Sequence, residues 1–202
     1  MLFSLIDNLE KIKLVLASGS PRRYELLKTL GLEFDVVVSH ADETCDPLLS
    51  PEQQVIEAAS RKGKAVSEKH PDCLVISADT IVVSGNKVLG KPENETDAFN
   101  MLSMLSGRKH KVYTGFGLSY LHYDAAEYET ESTDVTFRRL TDEEIWAYIN
   151  TGEPFDKAGS YAVQGQGALL IEKIDGCFFN VVGFPLARFY KLLDKFCAKF
   201  AL

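Results

Sequence analysis

The apolar positions of this chain change period several times, and each change marks an element. Leu14, Val15 and Leu16 form a short unbroken apolar run, the pattern of a strand buried on both faces, and predict a strand over 13–17. In the following "LASGSPRR" (16–23), Ser18-Gly19-Ser20 reads as a tight turn, Ser20 as a helix N-cap and Pro21 as the first helical residue. Tyr24, Leu27 and Leu30 then recur on one helical face, and Gly31 closes that helix. FDVVVS (34–39) predicts a second strand that runs into the polar segment HADETCD. From Pro51 to about His70 the spacing is helical again, with Val55, Ala58, Ala59 and Ala65 facing inward. CLVIS (73–77) predicts a short buried strand with Asp79 just past its carboxyl end, and IVVSGNKVL a hairpin around Gly85-Asn86.

A helix over 95–106 stops at Gly107, and two long β segments follow at 111–121 and 128–140, the second alternating through Thr130, Ser132, Asp134 and Thr136. Thr141 and Glu144 have the spacing of a capping box. The Gly-rich DKAGSYAVQGQGALLIEKIDG leads into a further strand, and Phe184 to Phe200 reads as the terminal helix. Ahead of all this, Leu2, Leu5, Ile6 and Leu9 give residues 1–12 the pattern of a short amphipathic helix, an extension in front of one domain over 13–202. βαβ units alternating with antiparallel hairpins predict an α/β fold: a mixed central sheet with flanking helices.

Composition narrows the function. At 202 residues the chain is one domain, or one domain with two lobes around a cleft, and a chain of this size hides roughly 70% of its unfolded surface without disulfides or structural metal. The net charge of −7 argues against a general nucleic-acid binder, whose affinity comes mainly from neutralised phosphates. Cys45, Cys73, Cys177 and Cys197 have neither C-x-x-C nor zinc-ligand spacing, which fits reduced thiols in the cytoplasm. The first residues lack a basic stretch before a long apolar run and read as no secretion signal. No segment approaches the roughly 20 apolar residues that cross a bilayer, so no membrane partner is expected.

Arg22 and Arg23 are the first chemical anomaly. They fall in the first turn of a helix, where partial positive charge and unpaired N–H groups favour acids, and each cation there costs ~0.3–1 kcal/mol. A small-residue turn running into a helix N-terminus is an anion site from its backbone alone, and two guanidinium groups belong there if a polyanion arrives. This is a phosphate site without a Walker loop, since no G-x-x-x-x-G-K-[ST] occurs. Ser18 belongs to the same turn. Asp79 and Glu43, each just past a predicted strand, suit a hard divalent cation held by one or two carboxylates plus substrate phosphates; Asp42 competes with Glu43 for that role. Lys91 in LGKPE projects from an extended turn and Lys62 in ASRKGKA lies on a helix; taken singly, either reads as a solvated surface lysine. His110 and Lys111 read as surface residues before extensions of the basic pocket, Tyr161, Phe178 and Phe179 as core before platforms that stack on a base, and Asp156 with Lys157 as a pair or as residues lining the site.

Together, LASGSPRRYELL, SADTIV, VLGKPE, MLSMLSGRKHKVYTG, GEPFDKAGSYAVQGQG and FFNVVGFPL resemble, in order, the motif series of the Maf family of nucleoside triphosphate pyrophosphatases. The resemblance runs from about residue 13 to 190. It implies a fold like that of Maf and inosine triphosphate pyrophosphatases, with two lobes around a cleft and often a homodimer. It also implies a nucleoside triphosphate substrate, hydrolysed to monophosphate and pyrophosphate, and a divalent cofactor, Mg²⁺ or Mn²⁺. Carried over by position, Asp79 matches the family's catalytic acidic residue, its proton acceptor, and Glu43 a carboxylate near the metal. Arg22, Arg23, Lys62 and Lys91 match the cations around the triphosphate, and Arg22, Thr80 and Gln164 the positions tied to substrate choice. Whether Asp79 deprotonates the water or holds the metal is open at this level.

The side-chain amide of Gln164 offers a donor and an acceptor, as uracil and thymine do, so YAVQGQG is similar to the dTTP/UTP branch. Two alternatives stand: a purine or 7-methylguanosine triphosphate as substrate, or a non-catalytic nucleotide-binding regulator of cell division. Gly63 departs from the family pattern, which more often has alanine there.

Overall fold

The computed structural model describes residues 2–6, 9–42, 44 and 46–200, with the backbone alone at Leu2 and Ser4. Glu43 and Cys45 lie outside the described residues. The strands are β1 (Leu14–Leu16), β2 (Asp35–Val36), β3 (Leu74–Ser84), β4 (Lys87–Leu89), β5 (Lys109–Tyr120), β6 (Ala125–Phe137) and β7 (Ile171–Asp175). The helices are α1 (Pro21–Thr29), α2 (Pro51–Ser67), α3 (Glu95–Leu105), α4 (Asp142–Ile149), α5 (Phe178–Val182) and α6 (Leu186–Phe200). The sheet runs β2-β1-β3-β5-β6-β7, with β4 hydrogen-bonded to β3. β1 pairs parallel with β2 and β3, whereas β3–β4 and β6–β7 are antiparallel, so this is the mixed sheet that the alternating elements predict.

The chain folds into two compact units, 1–79 with 114–131 and 183–202, and 80–113 with 132–182. The first is built around Leu16, Leu27, Leu74, Ile76, Phe116, Phe184, Phe189 and Phe196, all without solvent exposure. Helix α6 supplies Phe189, Leu192, Leu193, Phe196 and Cys197, an i, i+3, i+4, i+7, i+8 stripe. Each buried aromatic or branched side chain contributes ~1.5–3 kcal/mol, and this core fixes β3, which carries Asp79, and β1, which leads into the turn at Ser18. The second unit has its own core of Val82, Leu102, Leu105, Val135, Phe137, Ile145, Ile149 and Leu170. No helix among the described residues is long and apolar enough to cross a membrane.

Several local signals appear where the sequence puts them. Thr141 caps α4 with the full capping box to Glu144, and Gly85 turns the β3–β4 hairpin at φ +60. Ser50 and Gln53 cap α2 in the same way.

Other expectations are corrected. Ser20 precedes α1 but makes no side-chain cap; its own N–H donates instead to Ser18 Oγ. FDVVVS yields only two paired residues, because β2 has a three-residue partner, β1, and Val36 and Val38 face solvent. At the N-terminus two 3₁₀ turns (Leu2–Leu5, Leu9–Lys11) replace an amphipathic α-helix, with Ile6 and Leu9 buried and Leu5 exposed. His110 is buried rather than on the surface: its Nε2 lies 2.8 Å from the Tyr161 hydroxyl, and burial pushes its pKa down to about 4, keeping the ring neutral at pH 7. Tyr161 is core, as expected, but Phe178 and Phe179 are 42% and 43% exposed.

Candidate active site

The site is built first on β3 and α2. CLVIS does not end before Asp79: the strand continues to Ser84, and Asp79 lies inside it. Alternation along the strand puts Ser77 and Asp79 on one face, and helical spacing puts Ala59, Lys62, Gly63 and Val66 on one face of α2. The two faces meet in successive rungs. Ser77 Oγ donates to the Ala59 carbonyl at 2.8 Å, and Lys62 Nζ reaches Asp79 Oδ1 at 2.7 Å. The Lys62 and Asp79 side chains are 10% and 17% exposed, so this ion pair is held in a poorly solvated place. A lysine expected on the surface is thus turned inward to a carboxylate.

Gly63 explains how α2 comes so close. A Cβ there would stand 2.2 Å from Tyr128 Oη and 2.8 Å from both Ser119 Oγ and Ser77 Oγ. Tyr128 Oη and Ser119 Oγ are hydrogen-bonded to each other and fill the space where the family more often has the alanine methyl. At Gly115 on β5 a Cβ would meet the Val55 carbonyl of α2 at 2.2 Å. These two glycines let the helix lie against the strands at the depth from which Lys62 reaches Asp79.

The turn between β1 and α1 holds a second pair. Arg23 is buried, its Nε donating to the Gly183 carbonyl at 2.9 Å and its Nη1 to Ser18 Oγ at 3.2 Å. Ser18 Oγ also accepts from Ser20 N at 3.2 Å. With both acceptor positions of the hydroxyl used, its own proton is the group it has to donate. Arg22, half-buried, stands beside it in the first turn of α1.

Asp42, the rival of Glu43, is exposed, and Oδ1 accepts from Thr44 N at 2.8 Å and Thr44 Oγ1 at 2.7 Å; those bonds hold its carboxyl below the usual range. Arg61 donates to the Thr44 carbonyl at 2.7 Å and so ties this segment to α2, a role that nothing in the sequence signals.

Thr80, Lys91 and Gln164 belong to the second unit: Thr80 is half-buried, Lys91 and Gln164 are exposed. Lys157 bonds to Asp156, the pairing reading of those two residues. Among the described residues no three His, Cys, Asp or Glu side chains cluster as a metal site. Asp79 offers a hard carboxylate oxygen, which fits a divalent ion that arrives with phosphates and takes one or two ligands from the protein.

The protein is thus an α/β protein with a buried carboxylate–ammonium pair and an arginine-braced turn at a helix N-terminus in the first unit, and a Gly-rich loop carrying an exposed amide in the second. Residues 13–196 match the family described as Maf-like protein, and the chain belongs to the Maf family. It is 48% identical over 187 residues to the dTTP/UTP pyrophosphatase of Caldicellulosiruptor saccharolyticus, covering 91% of this chain and 94% of that protein. The dTTP/UTP pyrophosphatase of Bacillus cereus (strain ATCC 10987 / NRS 248) is 46% identical over 190 residues, covering 94% and 92%.

Proposed function

We propose that this chain hydrolyses dTTP and UTP between the α- and β-phosphorus, releasing the nucleoside monophosphate and pyrophosphate. The observation that carries this reading is near-half identity, over 91% and 94% of the chain, to two proteins named for that activity. The geometry supports it. Pyrophosphate leaves with the bridging oxygen as water bonds to the α-phosphorus, and cations near the β- and γ-groups stabilise the charge that builds there.

Arg22, Arg23, Lys62 and Lys91 serve the phosphates, and Ser18 donates its hydroxyl proton to a phosphate oxygen. The Lys62 ammonium would meet the phosphates from beside Asp79, to which it is bonded at 2.7 Å. Asp79 orients the water and accepts its proton. Arg22, Thr80 and Gln164 select the nucleotide, Gln164 by pairing its amide with the pyrimidine edge. Asp79, and Glu43 by the family pattern, would hold Mg²⁺ or Mn²⁺; such an ion neutralises phosphate charge and lowers the pKa of bound water. The free thiols Cys73, Cys177 and Cys197 fit a cytoplasmic setting.

Pyrophosphate release from dTTP, UTP, CTP and 7-methyl-GTP, with Mg²⁺ or Mn²⁺, tests the assignment. The expected result is highest kcat/KM on dTTP and UTP. A preference for the methylated purine would overturn it.

A further inference from the structure

We propose that Glu153 and Tyr148 are positioning residues for the pyrimidine-selecting Gln164, clamping the 162–167 loop on both sides of it. This rests on the proposed role of Gln164.

On the far side of Gln164, Glu153 Oε2 accepts from Gln166 N and Oε1 from Gly167 N, each at 3.1 Å. On the near side, the Tyr148 hydroxyl accepts from Ala162 N at 3.1 Å and donates to Glu153 Oε1 at 2.9 Å. Two residues before Gln164 and two and three after it, the backbone is therefore pinned to one carboxylate–phenol pair. Gln164 itself is exposed, its backbone extended at φ −105, ψ 167.

The loop is shaped around this pair. A Cβ on Gly165, at φ +69, would stand 2.7 Å from Glu153 Oε2, and one on Gly167 would stand 2.2 Å from the Ala162 carbonyl and 2.7 Å from the Tyr148 hydroxyl. Burial keeps the Tyr148 hydroxyl protonated, as a donor to the carboxylate must be. Lys157 Nζ in turn bonds the Glu153 carbonyl at 2.7 Å, bracing the backbone that carries the carboxylate.

The chemistry demands glutamate. Both oxygens accept from backbone N–H groups, and only a carboxylate accepts at both atoms; glutamine would set its own N–H₂ against one of those amides. A side-chain amide discriminates bases only if it is held in register with the base edge, and loss of a buried partner in such a site is felt as lost discrimination.

The experiment compares wild type, Glu153→Gln and Tyr148→Phe for kcat and KM on UTP and CTP, with circular dichroism to confirm folding. In both variants the account expects KM for UTP to rise about tenfold, kcat to change less than threefold, and the UTP:CTP ratio of kcat/KM to fall at least tenfold. A tenfold fall corresponds to about 1.4 kcal/mol of discrimination. Tyr148→Phe keeps the buried ring and decides the matter should Glu153→Gln not fold. A wild-type UTP:CTP preference that survives in the folded variants overturns the clamp alone. So does a fall in kcat and melting temperature with the ratio unchanged, which marks a merely structural pair. A wild type with no preference for UTP over CTP removes the parent reading and this one with it.

Discussion

Asp79→Asn is expected to lower kcat about 10³-fold while the far-UV circular dichroism stays that of the wild type, within the ~10²–10⁴ that a positioned proton acceptor contributes. Asparagine keeps the shape and an oxygen for Lys62, so the rung between α2 and β3 survives as a bond to a neutral acceptor in place of the ion pair at 2.7 Å. On the proposed mechanism, what is lost is the negative charge that takes the proton of the attacking water and supports a metal ion. The loss of charge from a pair whose side chains are 10% and 17% exposed costs stability too, about 1–3 kcal/mol. That is small beside the expected loss of rate, and urea unfolding separates the two. Turnover within threefold of wild type would remove Asp79 from the chemistry.

Arg23→Lys is the second large effect, and it comes from a change usually called conservative. The guanidinium is planar and spans two acceptors at once, the Gly183 carbonyl at 2.9 Å from Nε and Ser18 Oγ at 3.2 Å from Nη1. A lysine has one nitrogen at the end of its stem and no donor where Nε sits. The buried Gly183 carbonyl loses this donor, and Ser18 loses the contact that orients its proton. Hydrogen bonds from a charged donor are worth about 1.5–3 kcal/mol each, so the variant is expected to lose ~2 kcal/mol of stability. KM for the triphosphate is expected to rise at least tenfold, because the turn proposed to receive the phosphates is no longer braced. Wild-type stability together with KM within twofold would show that the turn does not depend on Arg23.

Much of the framework is legible in the sequence because it is written locally. The Thr141–Glu144 box, the Gly85 hairpin and the inward Val55, Ala58 and Ala59 of α2 each need only neighbours within a few residues, although Ala65, expected inward with them, is half-buried and Val66 is buried instead. Asp79 is legible as a chemical residue but not as a mid-strand one. Ser77, Ala78, Asp79 and Thr80 interrupt the apolar run and read as its end, yet the following Ile81, Val82 and Val83 carry β3 on to Ser84. Lys62 misleads for the opposite reason: its inward turn depends on how closely α2 lies against the strands, which Gly63 and Gly115 allow by contacts with residues far away in sequence. His110 sits in a β segment beside two lysines and reads as polar surface, but Tyr161, 51 positions away, completes its site. The loop clamp is a case of the same kind. Glu153 and Gly167 are 14 positions apart, and no period relates them.

The central claim is that water attacks the α-phosphorus of a pyrimidine triphosphate at the site formed with Lys62 and Asp79. Turnover of UTP in ¹⁸O-enriched water, followed by phosphorus NMR, reads the bond directly. The account predicts one ¹⁸O on the phosphate of UMP and none in pyrophosphate. Label in the pyrophosphate, or UDP with labelled inorganic phosphate, would contradict it.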